Sequence, residues 1–139
     1  MAATWGEMFP PKPLFTKKDT ADQFGRVFIV TGGSAGIGYE VVKALYHLNG
    51  RVYIASRSES TAKAAIASIH ALKPTNSQTV KAGKAELIFS SLDLGDLTTT
   101  KSSAMEFLSK ETRLDVIWHN EGIMIPADDT PTAQGYHVQ

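Results

Sequence analysis

The chain has 139 residues, enough for one domain with one core. Its 14 Lys and Arg balance 14 Asp and Glu, so the formal net charge is zero and nothing in it argues for nucleic acid or an anionic membrane surface. There is no Cys, which excludes disulfides and thiolate chemistry, no apolar run of membrane-spanning length and no signal-peptide pattern, so a cytoplasmic protein is the expectation.

Residues 1–24 are polar and Pro-rich and read as an extended arm; residues 25–139 read as the domain. Within the arm, Pro10-Pro11-Lys12-Pro13 fits the PxxP pattern of SH3 ligands, although a plain arm lying on the domain is the simpler expectation. The apolar run Val27-Phe28-Ile29-Val30 predicts a strand. The turn Thr31-Gly32-Gly33-Ser34-Ala35-Gly36-Ile37-Gly38 follows it. Val41, Val42, Ala44, Leu45 and Leu48 then fall at helical spacing, which predicts a helix over 37–48, ended by Asn49-Gly50.

Further along, Val52–Ala55 predicts a second strand, and 59–72 a second helix with Ser58 as N-cap. Pro74 closes that helix, and 73–84 is a polar loop. Glu86–Phe89 is the third strand. Leu97–Lys110 is the third helix, with Leu97, Ala104, Phe107 and Leu108 as its apolar side. Leu114–Trp118 is the fourth strand. Strands that are apolar throughout and alternate with helices indicate an α/β fold with a parallel sheet buried on both faces.

The order strand, glycine turn, helix has a chemical use. Free N–H groups at a helix N-terminus, with the positive end of the helix dipole, bind phosphate. Glycine allows a sharp turn off the strand and a close backbone approach to the ligand. Gly32 and Gly33 suit the turn; Gly36 and Gly38 suit close approach and packing of helix on strand. The spacing T-G-x-x-x-G-x-G differs from the general dinucleotide pattern G-x-G-x-x-G. A triphosphatase phosphate loop is excluded because Tyr39 stands where Lys is required.

From about Gly25 onward the sequence resembles the short-chain dehydrogenase/reductase family. The likeness is nearest to the retinol-dehydrogenase-like, fungal-type members, which share an arm like Trp5…Phe9-Pro10-Pro11-Lys12-Pro13. The resemblance implies a partial NAD(P)-binding Rossmann fold of about four parallel strands and three helices, and an oxidoreductase ancestry. It implies cofactor contacts from Gly32, Ser34, Gly36, Ile37 and Gly38. Arg57, just past the second strand, matches members that prefer NADP, because a basic residue there accommodates the 2′-phosphate where an acidic one would bind the NAD ribose. Glu59 is a weak rival for an NAD reading. Asp93 corresponds to the family's contact to the adenine amino group. His119-Asn120-Glu121-Gly122 stands where the family has Asn-Asn-Ala-Gly. Asn120 and Gly122 match; His119 and Glu121 do not. Glu121 brings bulk and charge near the pyrophosphate. At about 8 Å and an effective dielectric of about 20, that repulsion is roughly 2 kcal/mol per phosphate charge.

Family catalysis uses a Tyr and a Lys four apart on a later helix, with a Ser or Thr on the fifth strand. The sequence stops at Gln139 before such a segment, so the expectation is a truncated member that binds cofactor without turnover. The formal match Tyr39…Lys43 shares a helix face but lies at the pyrophosphate end. Tyr136 has no Lys downstream, and His47, His70 and His137 lack metal-ligand spacing. An active enzyme completed by other sequence and a non-enzymatic module pairing with a full-length relative are the alternatives.

Four strands about 4.8 Å apart make a sheet roughly 19 Å wide, whereas one helix covers about 10 Å. The first two helices should cover one face and the third the other, leaving about half of that second face open. The arm, the tail of residues 120–139, a second copy or a relative could cover it.

Overall fold

The computed structural model describes residues 9, 11–16, 19–72, 85–123 and 131–137. The strands are β1 (Val27–Thr31), β2 (Arg51–Ser56), β3 (Glu86–Ser91) and β4 (Val116–Trp118). The helices are α1 (Gly36–His47), α2 (Glu59–Ala71) and α3 (Leu97–Lys110). All strand pairings are parallel, in the order β3-β2-β1-β4. The chain steps outward from β1 to β3, then α3 carries it back to lay β4 on the free side of β1. The winding direction reverses between β1 and β4, and in open α/β sheets ligands bind at the carboxyl ends of the strands beside such a reversal.

Side chains alternate between the two faces, and the register shows which residues meet. Phe28 pairs with Val52 and Val52 with Leu87; Val30 pairs with Ile54 and Ile54 with Phe89. These residues share one face, where Phe28, Val30, Val52 and Ile54 pack with Val42 of α1 and with Ala62 and Ile69 of α2. Ile29, Tyr53 and Ile88 share the other face, with Val27 and Phe107 of α3. The Phe107 ring meets Tyr53 edge-on at 5.0 Å between centroids.

Several boundaries differ from the expectation. β2 and β3 run on to Ser56 and Ser91, because backbone pairing continues past the apolar run through Ala55↔Ser90 and Ser56↔Ser91. β4 is only Val116–Trp118; Leu114 lies outside it and is exposed. The left-handed residue that ends α1 is Asn49 (φ 68°) rather than Gly50. Its N–H donates to the Tyr46 carbonyl and that of Gly50 to Leu45, a Schellman closure that Asn tolerates. Ser58 caps α2 as expected, accepting from the Thr61 N–H at 3.3 Å.

The apolar side of α3 packs less than its periodicity predicts. Phe107 alone is buried; Ala104 is exposed, as are Leu97 and Leu108, the latter at 71%. Ala104 and Leu108 instead line a groove of about 390 Å³ with Ile29 of β1 and Ile117 of β4. One helix does not span the sheet, so the β1–β4 half of this face is open, and Ile117 is 43% exposed.

Neither terminus fills that groove with described residues. In the arm, Phe9, Leu14 and Phe15 are exposed, whereas Gln23 is buried and Asp22 accepts from Asn49 Nδ2 at 3.1 Å. The arm joins the body at Gln23, whose N–H donates to the Leu48 carbonyl at 2.7 Å. Pro10 of the PxxP segment and the whole 73–84 loop, Pro74 included, lie outside the described residues. The tail docks elsewhere: Gln134 accepts from the Leu97 N–H and donates to Asp96, closing the start of α3.

At the amino ends of the strands, charge is matched. Tyr53 donates its hydroxyl to Glu111 Oε1 at 2.7 Å; burial, then Glu111, push its pKa up to about 12. Arg51 pairs with Glu111 at 2.7 Å and Glu86 at 3.4 Å. Asp115 accepts from the Val27 N–H at 2.8 Å and from Arg113, with Arg26 at 3.7 Å. Hydrogen bonds from Arg113 and from the Val27 backbone hold the Asp115 carboxyl below its ordinary pKa.

Candidate functional site

At the carboxyl ends of the strands the glycine turn leaves β1 with Gly32 in the left-handed region (φ 63°), its N–H donating to the Ala55 carbonyl. Gly36 is also left-handed (φ 56°), and a Cβ there would meet open space. Gly33 and Gly38 are the packing glycines. A Cβ on Gly33 would lie 2.9 Å from Val42 Cγ2; one on Gly38 would run into the Gly32 carbonyl oxygen and lie 2.7 Å from Asn120 Nδ2. The expected division is therefore corrected: Gly33 serves close packing and Gly36 the turn. Spacing alone shows that glycines are needed, not which demand each one meets.

Helix α1 begins without a side-chain cap. Its N-cap, Ala35, offers no acceptor, and its first turn has no acidic residue. Ser58 caps α2, and Asp96 caps α3 by accepting from the Thr98 N–H at 3.0 Å. The first amides of α1 thus lack the local acceptor that capping would supply. Ile37, in that first turn, is 76% exposed, and Ser34 is half-buried.

Thr31, at the end of β1, latches the two strands of the reversal together. Its Oγ1 accepts from the Asn120 N–H at 3.0 Å and the Glu121 N–H at 3.1 Å. Asn120 Nδ2 donates to the Thr31 carbonyl at 3.2 Å. So Asn120, read from the sequence as a ligand contact, has a structural bond as well. The latch was missed because its partners lie 89 and 90 residues away in sequence.

The other candidates lie on the same rim. Arg57 follows β2 and is exposed. Just before it, the Ser56 hydroxyl is buried with no partner among the described residues. Asp93 follows β3; its Oδ1 accepts from the Gly95 N–H at 2.8 Å, and its backbone N–H donates to Thr99 Oγ1. It is a turn residue before α3, and its charge reaches Glu121. Glu121, past β4, packs on the turn: a Cβ on Gly32 would lie 3.3 Å from its Cα and Cβ. Its Oε2 is buried with no hydrogen-bond partner among the described residues. Burial raises the Glu121 pKa; Arg57 opposes the rise and Asp93 adds to it.

The formal Tyr–Lys pair is engaged elsewhere. The Tyr39 hydroxyl bonds Ser68 Oγ at 2.8 Å, tying α1 to α2, and Lys43 pairs with Glu40. Tyr46 packs against the His47 and His70 rings, and no group of metal-binding side chains occurs among the described residues.

The sequence and the fold are similar to those of known proteins. Residues 26–136 match the short chain dehydrogenase family. The chain belongs to that family. A short-chain dehydrogenase/reductase of Phomopsis amygdali is 43% identical over 96% of this chain and 38% of its own length. One from Armillaria gallica is 44% identical over 96% of this chain and 40% of its own. The structure of a metagenomic short-chain oxidoreductase in complex with NADP superposes with a TM-score of 0.61 at 28% identity, over 74% of this chain and 42% of that one. The chain thus spans about two fifths of the length of these dehydrogenase relatives. They share its doubly wound parallel fold, within an oxidoreductase family whose members bind NAD(P). No helix among the described residues is long and apolar enough to cross a membrane.

Proposed function

We propose that this chain is the NADP(H)-binding portion of a short-chain dehydrogenase/reductase and that residues 1–139 alone do not turn the cofactor over. The observation that carries the reading is the uncapped N-terminus of α1 facing the same rim as the exposed Arg57. The residues fit a dinucleotide. Gly32, Ser34, Gly36, Ile37 and Gly38 line the pyrophosphate turn, and the space beside Gly36 admits a close approach. Arg57 suits a 2′-phosphate, with the unpartnered Ser56 hydroxyl beside it. Asp93 stands on the adenine side, and Asn120 at the end of β4. When bound, the cofactor supplies hydride chemistry; these residues hold and orient it. Tyr39 bonds Ser68 of α2 and Lys43 pairs with Glu40 of its own helix, which is why they are not assigned as a catalytic pair.

The test is a fluorescence titration with NADPH and NADH, with Arg57→Ala as the variant. NADPH should bind the parent more tightly than NADH. Arg57→Ala should weaken NADPH roughly 10- to 100-fold, the effect of losing a charge-assisted hydrogen bond, and leave NADH unchanged. Equal loss for both cofactors would overturn the NADP assignment. Absence of binding at millimolar cofactor would overturn the site.

The groove between α3 and β4 favours a second property, self-association through the open sheet face, because Leu108 and Ile117 present apolar surface there. Light scattering tests it; a stable monomer at high concentration refutes it. A cytoplasmic location completes the reading and is checked by fluorescent tagging.

A further inference from the structure

The exposed arm, the open groove and the matched charges at the amino ends carry no ligand chemistry of their own. Glu121 does. It is a carboxylate beside the glycine turn, in the crevice where a dinucleotide's phosphates would lie. Its backbone is fixed: the N–H donates to the Thr31 hydroxyl at 3.1 Å, and its Cα and Cβ stand where a Cβ on Gly32 would come within 3.3 Å of them. The side chain therefore starts from a fixed point beside the turn. One carboxylate oxygen is buried without a hydrogen-bond partner among the described residues. An acceptor left in that state lacks the donor that an ionised carboxylate requires.

We propose that Glu121 is a proton-linked affinity determinant: cofactor binds with uptake of one proton from solvent onto the Glu121 carboxyl. This inference rests on the NADP(H) reading of the site. The proton comes from the buffer and ends on the carboxyl oxygen; no bond to the cofactor forms. Protonation removes a negative charge facing the phosphates and turns an unpaired acceptor into a donor for a phosphate or ribose oxygen.

The surrounding charges bear on this in opposite directions. Arg57, from the end of β2, favours the ionised carboxylate; Asp93, from the end of β3, disfavours it. His119, two residues before Glu121 in the segment past β4, lines the groove over the α3 face instead. Burial is the largest influence and already raises the carboxyl's pKa. A phosphate beside it adds a like charge and raises the pKa further in the complex. Arg57 is also drawn on by both groups. While Glu121 is ionised, part of the Arg57 field is spent on it; once Glu121 is neutral, that field acts on the 2′-phosphate.

Affinity should fall as pH rises through the carboxyl's raised pKa, because more of the free protein must first be protonated. The 2′-phosphate titrates with a second pKa of about 6, as phosphate monoesters do, so NADH, which lacks it, gives the cleaner profile. The experiment is calorimetric titration of the parent, Glu121→Gln and Glu121→Ala with NADPH and NADH, in buffers of different ionisation enthalpy, across the acidic to mildly alkaline range. The expected result is net proton uptake by the parent and none attributable to this site in either variant. Both variants should bind about thirtyfold more tightly than the parent at alkaline pH, the effect of one phosphate charge about 8 Å away. The advantage should shrink towards acid pH.

Parent and Glu121→Gln binding with the same affinity and proton balance would overturn the proposal while leaving the cofactor site intact. Tighter binding by Glu121→Ala alone would also overturn it, since bulk rather than charge would then be the obstacle. If no form binds either cofactor, the NADP(H) reading falls and this inference with it.

Discussion

The two ends of the sheet handle charge in opposite ways. At the amino ends, Arg51 meets Glu111 and Glu86, Tyr53 donates to Glu111, and Asp115 collects Arg113, Arg26 and the Val27 amide. At the carboxyl ends, α1 starts uncapped, Arg57 is exposed, Ser56 has an unpartnered hydroxyl, and Glu121 has an orphan oxygen. Ion-paired groups stabilise the fold and have little left to offer a ligand: even Arg51 Nε, which makes no well-aligned hydrogen bond, lies 2.7 Å from Glu111. Unmatched groups cost stability, and the cost is recovered only when something with complementary charge and donors arrives. The Ser56 hydroxyl and Glu121 Oε2 have neither a hydrogen bond nor an ion pair among the described residues.

Three changes test that contrast, in descending order of expected effect. Gly38→Ala pushes a methyl into the Gly32 carbonyl and towards Asn120 Nδ2. It should weaken NADPH binding on the order of a hundredfold and cost about 1–3 kcal/mol of stability, read by titration and by urea unfolding. Glu111→Ala acts at the other end. It strips Tyr53 of its acceptor and Arg51 of its nearer partner, and should cost about 1–3 kcal/mol in urea unfolding with cofactor affinity unchanged. A cofactor effect as large as the stability effect would erase the distinction between the ends.

The smallest effect is in pH dependence, and its sign differs between the ends. Asp115 has a depressed pKa, so its stabilising contribution is present above the ordinary carboxylate range and is lost as pH falls through the depressed value. Glu121 has a raised pKa, so the stability linked to its protonated form is present below that range and is lost as pH rises through the raised value. Melting curves should show Asp115→Asn less acid-sensitive than the parent. They should show Glu121→Gln gaining on the parent as pH rises.

Much of this was readable from the sequence, and the exceptions have a common cause. The apolar runs around Phe28, Ile54, Phe89 and Ile117 indicate the strands, and the glycines before Ile37 indicate the turn into α1, because each signal lies within a few consecutive residues. The positions of Arg57 after β2 and Asp93 after β3 are legible in the same way, whereas a cofactor role for Asp93 comes from the family resemblance alone. What sequence could not supply is contact across the fold. The Thr31 hydroxyl looks like part of a glycine turn until Asn120 and Glu121 are seen beside it. Likewise, Leu97 and Leu108 share the helical stripe with Phe107, but only the width of the sheet decides which of them finds a partner. Gln134 at the start of α3 gives no local sign of its role. Glu121 was conspicuous as a departure from Asn-Asn-Ala-Gly, but its orphan oxygen is a property of the packed crevice.

The Thr31 latch has a consequence for how the molecule assembles. β1 and β2 pair through Val27↔Arg51, positions 24 apart (51 minus 27), whereas β1 and β4 pair through Phe28↔Val116, positions 88 apart (116 minus 28). Closing the longer loop costs more chain entropy, and it is rewarded by three register pairs, the latch and the hydrogen bonds between Val27 and Asp115. The first βαβ unit can therefore form from nearby sequence, carrying the glycine turn and Arg57 with it, while the far wall of the crevice waits for β4. The half of the crevice built from the glycine turn and Arg57 is a local product of the chain; the half that carries Glu121 arrives with its longest loop closure.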